Sequence, residues 1–187
     1  MPDARALAKG LGALLLFALS ACGGESSINP FKSDVIDVAC PPLGALKEAS
    51  AFTRFREGDG RDLTDVVLQA RIGRVVAQCK VNQKTLVAEV VAGIELFGER
   101  GPAMQGFEAP IEYFVAVRNP AGEIVRRDAF ALPLEFEEGV GEALALDYLE
   151  FTLQGATPEA LRAYRIFFGL QMTREEWAFN QRSVRRR

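Results

Sequence analysis

Three cysteines, Cys22, Cys40 and Cys79, carry the most distinctive chemistry in this 187-residue chain. A thiol can bond to a second thiol, hold a metal or act as a nucleophile, and spacing helps to separate these roles. None of the three belongs to the Cys-x-x-Cys pair of redox proteins, and histidine is absent altogether. Ser-His-Asp and Cys-His arrangements therefore cannot be assembled, and the commonest metal ligand near neutral pH is missing. The chain is read as non-enzymatic, with no catalytic residue and no cofactor assigned.

Carboxylates and arginines are the remaining candidates. Glu57-Gly58-Asp59-Gly60-Arg61-Asp62 has the outline of a calcium loop. Counted from Asp59, however, its third position is Arg61 and its twelfth is Ala70, where the motif needs oxygen ligands. It reads as a turn, and no metal site is expected. Glu135, Glu137, Glu138 and Glu142 surround Gly139 and Gly141 as a solvated acidic loop. Their competing use is a hydrolase or small-ligand carrier with carboxylates in a pocket between sheets. Arg182, Arg185, Arg186 and Arg187 form a basic tail that would either fray in solvent or touch anionic lipid or cell-wall polymer. A formal net charge of −3 supplies no basic face for phosphates, so nucleic-acid binding is not expected.

The amino-terminal residues set an address. Met1–Lys9 is a short basic region, and Gly10–Leu19 is an apolar run too short to span a bilayer. It closes on Leu19-Ser20-Ala21-Cys22, which resembles the lipobox of bacterial lipoproteins. The resemblance implies cleavage before Cys22, a diacylglyceryl group on its sulfur and acylation of the new terminus, giving a membrane anchor. The competing reading is an ordinary secretory signal cut after Ala21. Gly23 stands where some inner-membrane lipoproteins carry Asp, so the resemblance favours the outer membrane. Residues 1–21 are thus a signal peptide and 22–34 a lipidated tether, flexible by its Gly, Ser and Pro content.

With Cys22 given to lipid, Cys40 and Cys79 remain as a pair in an oxidising compartment, and a structural disulfide between them is expected. Two separate buried thiols and a redox pair are the alternatives.

These residues need a body to position them. From Leu63 to Val81, apolar residues alternate at Val66, Leu68, Ala70 and Ile72, then change parity to Val75, Ala77, Cys79 and Val81. An extra residue at Gly73 restores the inward face, which is how a β-bulge works. A turn over Asn82–Thr85 leads into Leu86, Ala88, Val90, Ala92, Ile94 and Leu96, completing a hairpin. A second hairpin joins Glu112–Arg118 to Glu123–Phe136 through Asn119-Pro120-Ala121-Gly122, and Pro133 places its last strand at an edge. Leu144–Leu153 and Arg165–Met172 add two strands, whereas 41–55 is ambiguous between helix and strand.

Thr173-Arg174-Glu175-Glu176 is a capping box that predicts a short terminal helix through Gln181, with Trp177 packing it onto the sheets. Tyr164, two residues before inward Ile166, resembles the tyrosine corner of immunoglobulin-like and fibronectin type III domains. The prediction is a mainly β, antiparallel two-sheet sandwich of six or seven strands over 35–182, with a short C-terminal helix and a basic tail over 183–187. In layout the chain is similar to small envelope lipoproteins of Gram-negative bacteria. The implied function is a periplasm-facing binding or envelope-assembly module, partnered by the membrane and by another envelope protein or cell-wall polymer.

Overall fold

The computed structural model describes residues 34–155 and 157–184. The signal peptide, Cys22, most of the tether and Arg185–Arg187 lie outside these residues. Nine strands form, in the order β1 (Val35–Val38), β2 (Leu43–Ala45), β3 (Ala51–Phe55), β4 (Val66–Asn82), β5 (Val87–Arg100), β6 (Glu108–Arg118), β7 (Ile124–Glu135), β8 (Glu142–Leu153) and β9 (Arg165–Leu170). A one-turn helix, α1 (Pro158–Leu161), precedes β9, and α2 (Arg174–Val184) follows it. The count exceeds six or seven because the ambiguous segment and the residues before it supply β1, β2 and β3.

The strands make two sheets. The first runs β1-β4-β5-β8, with β3 also pairing β4, and the second runs β2-β9-β6-β7. All neighbours are antiparallel except β2 and β9, which pair in parallel. The parity change in β4 is a bulge: register passes from Ile72 opposite Leu96 to Val75 opposite Ile94. At Gly73 a Cβ would overlap the Phe97 ring, which would have to shift to admit one. The inward set of β5, Ala88 to Leu96, is buried as expected.

Two residues at the ends of this hairpin differ from expectation. Leu63 belongs to a 3-10 turn capped by the Asp62 carboxylate and is exposed. Leu86 occupies the turn at φ 54 and is also exposed, because the chain needs a left-handed residue to reverse there.

Between the sheets, Tyr113, Phe168, Leu68, Ile94, Leu96 and Ile111 are among the largest fully buried side chains. Each such aliphatic or aromatic group contributes about 1.5–3 kcal/mol on leaving water, and together they belong to one continuous core cluster. Tyr164 packs against this core, and its hydroxyl has no hydrogen-bond partner among the described residues. Pro133 does lie on an edge strand, β7, directly opposite Pro110.

The capping box closes in both directions: Glu176 N donates to Thr173 Oγ1 at 3.2 Å, and Thr173 N donates to Glu176 Oε2 at 2.7 Å. Trp177 is 42% exposed and lines a hollow with Ala49, Phe114, Leu170 and Met172. The face turned to β3 carries Glu176, Phe179 and Asn180 instead. Arg54 Nε donates to Glu176 Oε1 at 2.8 Å, Phe179 meets Phe55 edge-on at 4.8 Å, and Asn180 Nδ2 donates to Ala51 O at 2.9 Å. A buried carboxylate takes this position because Arg54 gives it a partner, and a step of about 100° sets Trp177 on the neighbouring side, beside Phe114 and Met172. Glu176→Gln keeps the cap but weakens the ion pair, so thermal unfolding should show a loss of about 1 kcal/mol. Unchanged stability would mean that the Arg54 contact adds nothing.

Candidate functional site

The sequence-derived candidates occupy separate places. Cys40 and Cys79 stand at disulfide distance, their Cα atoms 5.3 Å apart, where β1 leaves the first sheet and the chain crosses to β2 in the second. In the Glu57–Asp62 loop Glu57 and Asp59 are exposed, and Asp62 serves as a cap. Hydrogen bonds from the Thr64 hydroxyl, and then from its amide, hold the Asp62 carboxyl below the usual carboxylate range. Arg61 donates to Gly58 O and Gly60 O and pairs with Glu175. Glu135, Glu137, Glu138 and Glu142 are all exposed. Among the described residues no group of three or more His, Cys, Asp or Glu is placed to hold a metal, and no helix is long and apolar enough to cross a membrane.

The acids that do reach the interior are different ones. Asp65 is buried with Arg56 Nη2 2.5 Å from its Oδ1. On β8, Asp147 points inward, and its Oδ2 accepts from the hydroxyl of fully buried Tyr113 at 2.6 Å. Burial first, and then the Asp147 hydrogen bond and charge, push the Tyr113 phenol far above its ordinary pKa. The other oxygen, Asp147 Oδ1, accepts from the backbone N–H of Tyr148 at 2.8 Å. One donor of this edge strand is therefore already satisfied, and an inward carboxylate discourages a second strand from pairing there.

What β8 leaves open is its outward face. A half-buried strand alternates apolar with polar residues, but Glu142–Leu153 (EALALDYLEFTL) is apolar at both parities. Ala143, Ala145, Leu149, Phe151 and Leu153 turn inward, while Leu144, Leu146 and Tyr148 stand outward at 53%, 54% and 68% exposure. Val76 on β4 and Val91 on β5 extend this strip across the same face.

At its centre is Gly93, where an added Cβ would come within 3.1 Å of the Tyr148 ring and 3.3 Å of Val76. The Tyr148 ring and Val76 close over this glycine, and a hollow of about 140 Å³ lies beside them, lined also by Glu95 and Leu146. Along its rim Arg74 donates from its backbone N–H and its guanidinium to Glu95, holding that carboxyl below its usual range.

Outlying phenylalanines lie under arginine, including Phe97 on this same face opposite Leu144. Arg71 covers Phe97 at 4.1 Å, Arg100 covers Phe107 at 4.8 Å, Arg127 covers Phe114 at 5.1 Å and Arg118 covers Phe167 at 5.5 Å. Such pairs are mildly attractive and place a solvated cation over apolar surface. No arginine lies over Tyr148 among the described residues. The β8 strip is thus apolar surface without the cover given to these other rings, a feature of interaction sites. The sequence carried this signal as two apolar parities in one strand; the arginine covers depend on cross-strand register and had no local signature.

No protein-family model matches the chain, and no curated protein matches it either.

Proposed function

We propose that this chain is a lipid-anchored, non-enzymatic binding module of the bacterial envelope. On this reading Cys22 carries the acyl chains, the sandwich faces the periplasm, by resemblance from the outer membrane, and the outward face of β8 holds another envelope protein. The lipobox Leu19-Ser20-Ala21-Cys22 supports the anchor. The binding role rests on one observation: Leu144, Leu146 and Tyr148 are left uncovered on a molecule that lays arginine over other outlying rings. A filled interior favours a surface role over a ligand pocket between the sheets.

Two experiments test the two halves. Cys22→Ser should move the protein from the membrane fraction into the soluble periplasm, and retention in the membrane would remove the anchor. A photo-reactive phenylalanine analogue at position 148 should give one discrete adduct in cells, whereas the same group at position 167 should give none. Equal labelling at both positions, or none at 148, would remove the binding face.

A further inference from the structure

We infer that the partner presents to this face an extended segment with an apolar centre and a basic residue at each end. The inference rests on the reading of β8 as the binding face and concerns what that face selects. Its apolar residues, Leu144, Leu146 and Tyr148, share one parity with Glu142 before them and Glu150 after them. At about 3.3 Å per residue the two carboxylates stand roughly 26 Å apart along the strand.

Both ends are under-compensated. Glu142 lies directly opposite Glu99 on β5, a like-charge pair that weakens a sheet, and Glu150 lies opposite Val91. None of Glu99, Glu142 and Glu150 has an ion-pair partner among the described residues. Glu95 on the same face differs, because Arg74 neutralises it. An incoming cation at Glu142 would relieve the repulsion with Glu99, one at Glu150 would pair a carboxylate that has no ion-pair partner among the described residues, and an aliphatic side chain enters the hollow beside Leu146 and Tyr148 as the buried anchor.

The same pattern argues against a second copy of this chain as the occupant. Laid antiparallel with Leu146 over its equivalent, two copies set Glu142 against Glu150 at both ends. Laid parallel, each glutamate meets its own equivalent. Either way like charges confront each other, which suppresses that pairing.

The test uses the full chain in detergent micelles and two labelled peptides, Lys-Thr-Leu-Thr-Val-Thr-Leu-Thr-Lys and its twin with Glu at both ends. At low salt the lysine peptide should bind about tenfold tighter, with the gap closing as salt screens exposed charge. Glu142→Lys combined with Glu150→Lys should reverse the preference. Leu146→Ser combined with Tyr148→Ser, both exposed positions, should abolish binding of either peptide while circular dichroism stays unchanged.

Equal affinity for the twins, still lost in the double serine variant, would overturn the charge selection and leave the binding face standing. Lysine-peptide binding that survives the serine changes would overturn the face itself. Failure of both peptides to bind would overturn the inference, as would a sedimenting dimer of the full chain that the serine changes dissolve.

Discussion

Cys40→Ala combined with Cys79→Ala should lower stability by about 4 kcal/mol, with a drop in melting temperature of about 10 °C. The pair closes a loop of sequence separation 39 and sits where the chain passes from one sheet to the other. β1 is held by only four register positions on β4, and β2 by three on β9. Neither short strand buries much surface, so the covalent link restricts the crossing segment that their own pairing leaves weakly held. Mass spectrometry without reductant should find Cys40 joined to Cys79, and calorimetry in reductant should reproduce the loss. Free thiols, or a melting temperature indifferent to reductant, would remove this account.

Asp147→Ala should cost about 3 kcal/mol, because it strips the acceptor from a fully buried tyrosine hydroxyl and from the Tyr148 amide together. The same pair predicts a pH dependence. Folding raises the Tyr113 pKa, while in the unfolded chain the phenol ionises at about 10. Above that pH the unfolded state releases a proton that the folded state keeps. The stability from this group is complete below about pH 10 and is lost on further alkalinisation, by at most about 1.4 kcal/mol per pH unit. Tyr113→Phe should flatten that slope in urea titrations between pH 9 and 11, at a smaller cost near neutrality. An identical slope in the variant would show that Tyr113 is not the group responsible.

Much of the sandwich is legible in the residues because long strands repeat a pattern often enough to be read. β4 and β5 show the inward set, and the slip at Gly73 appears as a change of parity in the letters themselves. The capping box at Thr173 and Glu176 is equally local. Short β1, β2 and β3 offer only three to five residues each, too few for a period to emerge.

The helix pairs Glu176 with Arg54, a residue on β3 far away in sequence, so the face it turns to β3 has no local signature. Tyr113 and Asp147 are 34 positions apart and become neighbours only when β6 and β8 face each other across the sheets. The proposed binding face was partly visible: Leu144–Leu153 reads as a strand apolar at both parities, but that one parity stands exposed comes from the structure. The glutamates that bracket the strip gain meaning only from register with β5.

The obstacles to pairing at Asp147 and at Pro133 also bear on what happens when many copies are crowded together. β7 and β8 end their respective sheets, and neither offers an unbroken ladder to a neighbour. Molecules tethered at high density on a surface collide edge to edge far more often than in dilute solution. Proline in β7 and the inward carboxylate of β8 each hinder strand addition at these two margins, so edge-to-edge growth is disfavoured there, while the short β1, β2 and β3 form the remaining edges.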